Sequence, residues 1–187
     1  MSYIRKVTPE MLPLQDSIAD SVIAGEEVLL RVGRMGIQID YVTNPKAEWR
    51  SFPPVAEAEP SSLVTRPEAA IFAAYEEQRL IGLCACICRE NGWCELLDLR
   101  VDTPCRRKGI AGMMLDAVER FAQGRQMRGI SVATSEDNPA FCQFCTSKGF
   151  TLQGFDRYAL IYTAQQKLKP FSRRACALYF YRQFKEN

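Results

Sequence analysis

The alternation of apolar and polar positions divides the chain into short segments. Met11, Leu14, Ile18 and Val22 recur at helical spacing behind Thr8 and Pro9, which predicts a helix over 8–24. Residues 28–34 and 37–42 are rich in β-branched side chains, with Gly33 and Gly36 near their junction, and read as a hairpin. Residues 69–76 read as a strand. Residues 80–89 read as another, whose nearly unbroken apolar run suits burial on both faces. A turn at Asn91-Gly92 leads into a third strand, 93–101. Over 109–124, Met113, Met114, Ala117, Val118 and Phe121 make the apolar stripe of a helix. A short strand follows at 129–133, then a helix over 138–148 with Asp137 or Asn138 as cap and Pro139 in its first turn. A strand beginning at 150–153 and an apolar, aromatic closing strand at 175–184 complete the series. A meander of strands followed by strand–helix–strand–helix–strand predicts an α+β (mixed α/β) fold around a single twisted mixed sheet with flanking helices. The crossover through the 109–124 helix is expected to be right-handed.

The pattern lapses between Asn44 and Glu68, where five of the ten prolines fall (Pro45, Pro53, Pro54, Pro60, Pro67). Proline cannot donate to a strand ladder, so this stretch reads as a loop, with Trp49 and Phe52 as its large aromatics. The whole chain, 187 residues, is expected to form one domain. A hydrophobic content of 47% with 25% charged residues excludes disorder as the main description. Apolar runs end well before the roughly 18 residues a membrane span needs. The first ten residues carry Arg5, Lys6 and Glu10 and resemble no secretory leader, so the expected location is the cytoplasm. A net charge of +2, from 24 basic and 22 acidic residues, supplies no general attraction to nucleic acid or membrane. Lys167, Lys169, Arg173 and Arg174 form a basic cluster without aromatics at stacking spacing and read as a solubilising loop.

The chain has no histidine, which removes Ser-His-Asp triads, Cys-His dyads and histidine metal sites. Acid–base work then falls to Asp, Glu, Cys, Tyr, Lys, substrate or water. There are eight cysteines. Cys84, Cys86 and Cys88 alternate along one strand and share a face, where they read as small apolar packing residues. Cys142 and Cys145 lie at i and i+3 on one helix face, with no second C-x-x-C pair to make a zinc ribbon. No disulfide framework and no metal site are expected.

Chemistry concentrates in residues 97–112. A strand ends at Val101, three successive cations follow (Arg106, Arg107, Lys108), and the small residues Gly109, Ala111 and Gly112 open a helix. A helix N-terminus presents unpaired N–H groups and the positive end of the macrodipole. Small residues there let a phosphate approach the backbone. The segment therefore reads as a pyrophosphate cradle. It lacks both G-x-x-x-x-G-K-[ST] and G-x-G-x-x-G, which excludes a nucleoside-triphosphate loop and a dinucleotide fold.

The run Arg106-Arg107-Lys108-Gly109-Ile110-Ala111 resembles the Q/R-x-x-G-x-G/A acetyl-CoA signature of the GNAT superfamily of N-acetyltransferases. Residues 138–150, from Asn138-Pro139 through Phe144-Cys145 to Gly149-Phe150, are similar to that superfamily's second block, and the two together span about 80–160. Asp98-Leu99, the stretch 149–156, Ala177-Leu178-Tyr179-Phe180 and the 28–43 hairpin with its proline-containing loop resemble the streptothricin acetyltransferase group. The resemblance implies transfer of acetyl from acetyl-CoA to a primary amine of a small molecule, such as a streptothricin-type antibiotic. It implies no metal. It also implies a central strand that parts from its parallel neighbour, so that pantetheine pairs with backbone at Leu99 and Val101, flanking Arg100. One of those N–H groups would hold the oxyanion. The diphosphate would sit on Arg107, Lys108, Gly109, Ile110, Ala111 and Gly112, with added charge from Arg106. Asn138 and Phe144 would face the cofactor arm.

Two departures from the family pattern bear on catalysis. Cys145 stands where the family often has the tyrosine that protonates the leaving thiolate, so its thiol becomes a candidate acid, beside Tyr158 and Tyr162. Leu97 stands where the streptothricin group usually has glutamate, which leaves Asp98 or Glu95 as base or as orienting charge. A polycationic acceptor would call for acid groups, and the proline-rich loop offers Glu48, Glu57, Glu59 and Glu68. Rival readings are acetylation of a protein, peptide or polyamine, a non-catalytic acyl-CoA sensor on the same fold, or an interaction module with an empty cradle. Either a monomer or a homodimer fits.

Overall fold

A computed structural model describes residues 1–14, 18, 21–34, 36–52, 56–157, 159 and 176–185. Twelve elements longer than a single 3-10 turn lie in this order: β1 (Ser2–Lys6), β2 (Ser21–Gly33), β3 (Gly36–Ser51), α1 (Pro60–Leu63), β4 (Ala69–Glu76), β5 (Arg79–Cys88), β6 (Trp93–Val101), α2 (Ile110–Gln123), β7 (Gly129–Ser135), α3 (Pro139–Ser147), β8 (Thr151–Asp156) and β9 (Ala177–Gln183). The chain divides into two compact units, one of residues 1–20, 54–131 and 183–187, the other of residues 21–53 and 132–182. No helix among the described residues is long and apolar enough to cross a membrane.

In the first unit the strands run in the order β1-β4-β5-β6, then β7, which begins there. β1 pairs with β4, β4 with β5 and β5 with β6, each antiparallel. β5 is buried along nearly its whole length, as its apolar run predicts. One face of this sheet carries Ala69, Ile71, Ala73, Leu83, Ala85 and Ile87, which pack with Val7, Ile18, Ala58 and Leu63 into a core. The other face carries Phe72, Gly82, Cys84, Cys86 and Cys88 and receives α2, whose buried residues are Ile110, Gly112, Met114, Leu115, Ala117, Val118 and Ala122. Phe72 meets Phe121 edge-on at 6.3 Å. Gly82 lets α2 come close, since a Cβ there would lie 3.0 Å from the Met114 Cε.

Among the described residues of 8–24 the expected helix is not formed, and 15–17, 19 and 20 lie outside them. Pro9–Met11 make a single 3-10 turn without a side-chain cap from Thr8. Pro13 lacks an N–H and would clash with the preceding turn of a helix. Residues 21–24 instead enter β2, where Val22 and Ile23 pair with Arg50 and Trp49. The proline-rich loop is correspondingly shorter than expected, because β3 runs to Ser51. Pro45 is accommodated where the β2–β3 register shifts between Ala24 and Glu26. A 3-10 turn at Ala56–Ala58 and the one-turn helix α1 fill the rest. Trp49 is therefore a strand residue, and it is exposed.

In the second unit β7, which ends there, is followed in strand order by β9 and β8, and β8 and β9 are antiparallel. The β2–β3 hairpin forms a separate two-stranded ribbon, as its pattern predicts, and α3 packs on β2. The buried side chains of this unit include Leu178, Phe180, Cys142 and Cys145. All eight cysteines are free thiols, and only Cys88 is not fully buried.

Leu115 is fully buried between α2 and the sheet. Leu115→Ala should lower the unfolding free energy by about 2–5 kcal/mol, since truncation there leaves a cavity. Urea unfolding with an unchanged slope is the measurement.

Candidate functional site

The turn between β6 and α2 is built by its own polar groups. Asp102 accepts the Thr103 N–H at 3.1 Å, donates its backbone N–H to Ile81 at 2.9 Å, and pairs with Arg79. A 3-10 turn at Thr103–Cys105 follows, anchored by the buried Cys105. Arg106 folds back and donates its Nε to the Val101 carbonyl at 2.9 Å, so this cation also ties the loop to the strand end. Arg107 and Lys108 remain exposed. Arg107 has φ +63° and Gly109 φ +84°, both left-handed. For Gly109 this costs little, whereas a residue with a Cβ pays about 1–2 kcal/mol. Left-handed residues on either side of Lys108 are the kind of backbone from which anion nests are built.

The start of α2 follows directly. The first helical hydrogen bond is donated by the Met113 N–H to Gly109 at 3.1 Å, so the N–H groups of Ile110, Ala111 and Gly112 precede the ladder. Gly109 offers no side-chain cap, and the first turn holds no acidic residue. A Cβ at Gly109 would meet nothing within 4 Å, so approach to this backbone is open. A helix N-terminus, two exposed cations, no competing carboxylate and an open backbone fit a diphosphate.

β6 holds the second feature. Against β5 the register runs Ile87↔Glu95 and Cys86↔Leu96, then Ala85↔Asp98, Cys84↔Leu99, Leu83↔Arg100 and Gly82↔Val101. Leu97 has no partner on β5 and is the extra residue of a β-bulge. Side chains alternate along a strand, so Glu95 and Asp98 should lie on opposite faces. The bulge reverses the parity. Glu95, Asp98 and Arg100 all share the face of Leu83, Ala85 and Ile87, while Leu99 and Val101 share that of Cys84 and Gly82 beneath α2.

The two carboxylates sit in different surroundings. Glu95 accepts the Arg89 Nε at 2.6 Å, and the same guanidinium donates to both oxygens of Glu57 at 2.8 and 2.7 Å. The hydrogen bond from Arg89 holds the Glu57 carboxyl below its usual range. Asp98 is more deeply placed, its side chain 7% exposed, and its Oδ2 accepts the Arg100 Nε at 2.8 Å. Burial, with the charge of Asp98 second, pushes the Cys84 thiol well up.

In the second unit Asn138 caps α3, its Oδ1 accepting the Phe141 N–H at 3.2 Å, and Pro139 occupies the first helical position. Phe144 stacks on Phe141 at 5.8 Å. Cys145 is 1% exposed, and burial drives its thiol far above the ordinary range. Burial likewise pushes the Cys142 thiol up to about 12. Tyr41, a residue that sequence reasoning passed over as a hairpin position, has its hydroxyl pushed up to about 12 by burial, with Cys142 and Thr146 beside it. Its placement against α3 follows from the packing of α3 on the hairpin and has no local signal. Gln143 donates to Glu26 at 2.6 Å, and Arg50 lies 3.4 Å from Asp137. Tyr158, Tyr162, Lys167, Lys169, Arg173, Arg174 and the Glu48 side chain lie outside the described residues.

Residues 39–150 match the model of the acetyltransferase (GNAT) family, more than half of the chain. The chain belongs to the GNAT family. Among curated proteins, this GNAT chain is similar to a streptothricin acetyltransferase of Escherichia coli, 26% identical over 114 residues. That match covers 61% of this chain and 62% of the relative, less than two thirds of its length. Among solved structures, one neighbour is a Bacillus anthracis protein assigned as a streptothricin acetyltransferase and solved with acetyl coenzyme A. It has a TM-score of 0.83, 22% identity, and coverage of 99% of this chain and 98% of that one. A nourseothricin acetyltransferase aligns with a TM-score of 0.77, 18% identity, and coverage of 97% and 98%. These likenesses show the fold: the mixed sheet with flanking helices expected from the sequence is the GNAT arrangement.

Two carboxyls just ahead of α3 in this GNAT chain are raised above their usual range. For Glu136 the causes are burial, then the neighbouring Asp137; for Asp137 they are burial, offset by Arg50. A carboxyl raised in the folded state binds its proton more tightly there than in the unfolded chain. Its contribution to stability is full below the unfolded value and is lost as pH rises through the folded one. Glu136→Gln should therefore raise Tm at pH 7, with the gain vanishing near about pH 4, where an ordinary glutamate is protonated. Thermal unfolding at the two pH values checks it.

Proposed function

We propose that this chain is an acetyl-CoA-dependent N-acetyltransferase that transfers acetyl directly to a primary amine of a small cationic molecule of the streptothricin class, working in the cytoplasm as a single 1–187 domain. The observation that carries the reading is the turn at Arg107 to Gly112, where two left-handed residues lead into the N–H groups that precede the α2 ladder. A diphosphate is held there by backbone N–H groups and the α2 dipole, with Arg106, Arg107 and Lys108 adding charge. The curated relative's name and the acetyl coenzyme A in the Bacillus anthracis neighbour support the substrate pair.

In this reading the backbone of Leu99 to Val101 lies along the thioester arm, and one of its N–H groups stabilises the tetrahedral oxyanion. Asn138 and Phe144 remain the cofactor-facing candidates that the family resemblance implies in the second unit. Asp98, on the face turned by the bulge, orients the acceptor amine, which loses its proton to water or a carboxylate before it attacks. Glu95 is the weaker candidate because Arg89 already engages it. Cys145 is a poor proton donor with its thiol pushed so far up, and the thiolate leaving group takes its proton from solvent instead. The raised Cys145 and the apolar Leu97 favour one second reading, an acyl-CoA sensor without turnover.

Gly109→Glu places a negative side chain in the cradle and should abolish CoA binding. The readout is the thermal shift, about 2.7 kcal/mol of added stability at a hundredfold excess over Kd in the wild type. Retained affinity would remove the cradle. Asp98→Asn should lower acetyl transfer to a streptothricin by a factor between about 10² and 10⁴, followed by release of free CoA thiol. Wild-type CoA binding without thiol release for a streptothricin, a polyamine or a peptide amine would support the sensor.

A further inference from the structure

We propose that Arg100 is a positioning residue for Asp98: its Nε–Oδ2 bond fixes the carboxylate that the Leu97 bulge turns onto the Glu95 face, so that Asp98 meets the acceptor amine as an anchored negative charge. This rests on the proposed acceptor role of Asp98. The geometry is specific. Arg100 and Asp98 are 2.8 Å apart, with side chains 20% and 7% exposed, on a face whose β5 neighbours are Leu83, Ala85 and Ile87. Desolvating an ion pair among apolar residues is costly. Apolar side chains at 98 and 100 would pack this face at no such cost, so sheet stability alone gives no reason for the pair.

The Arg89 pair on the same face differs. It is about a third exposed, engages both Glu95 and Glu57, and links β6 to the 3-10 turn at Ala56–Ala58, an evident structural tie. The Asp98–Arg100 bond joins two residues of one strand, two positions apart, and is the more deeply buried of the two pairs. The bulge is what lets it form in this place: without the parity change, Asp98 and Arg100 would lie under α2 among Cys84, Cys86 and Gly82. The charged and titratable groups around Asp98 include Arg100, the buried Cys84 thiol, and Glu95 with Arg89 further along the strand.

The test uses the full chain with acetyl-CoA and a streptothricin, in wild type, Arg100→Met and Arg100→Lys. Loss of the guanidinium should lower kcat/KM by about tenfold to a hundredfold through misplacement of the carboxylate. The acidic limb of its pH profile should move up by about one unit or more, because Asp98 loses an opposite charge. Arg100→Lys should recover part of both effects. Carboxyl NMR titration of Asp98, assigned with Asp98→Asn, reads the pair without an acceptor and should show the same upward move in Arg100→Met. An unmoved titration, or a pH profile unchanged while only Tm falls, overturns the proposal. If Arg100→Met shows the NMR shift while the wild type acetylates no streptothricin, the acceptor reading falls and the ion-pair geometry stands.

Discussion

The candidate chemistry of the first unit depends on one unpaired residue. Leu97 interrupts the β5–β6 register, and every side chain after it changes face. With the bulge, the apolar Leu99 and Val101 sit beneath α2, and the charged Asp98 and Arg100 leave that interface. Without it, an aspartate and an arginine would be buried against the cysteine-lined face where the helix docks. A bulge of this kind disrupts one step of the ladder and re-aims the side chains beyond it. Both the seat of α2 and the exit of Asp98 rest on the same step.

The N-terminus of α2 is the complementary constraint. Its seven buried residues hold the helix on the sheet, which fixes where its unpaired N–H groups emerge. The preceding turn is then shaped by local chemistry: Asp102 organises the 3-10 turn, Arg106 clasps Val101, and the left-handed Gly109 lets the chain enter the helix with its backbone exposed. An anion site made from backbone needs no histidine and no metal, which suits a chain without histidine. The thiols point the same way. Burial raises Cys84, Cys94, Cys142 and Cys145, with a hydrogen bond to Cys86 the larger cause at Cys94, and so keeps them as neutral packing groups.

Much of this was legible along the chain because local rules and tertiary structure agreed. The strands at 69–76 and 93–101 lie where the pattern put them, and Asn138-Pro139 starts α3 because an Asx cap followed by proline suits a helix start in any context. The segment 8–24 was misread because helical spacing of apolar residues outweighed Pro13 and the β-branched pair Val22-Ile23, which found a partner in residues 49–50. The candidate cradle was readable as a motif, since it is built from contiguous backbone.

The sequence by itself determined the order of elements from β4 onward, the absence of histidine chemistry and the place of the candidate cradle, because each depends on residues adjacent in the chain. Tertiary structure alone decided that Glu95 and Asp98 share a face, that Arg100 pairs with Asp98 and Arg89 with Glu95, that Tyr41 comes to rest against α3, and that Cys145 is buried. Strand parity, ion pairing and burial are set by which segment lies alongside, and no local pattern in a single strand records its neighbour's register.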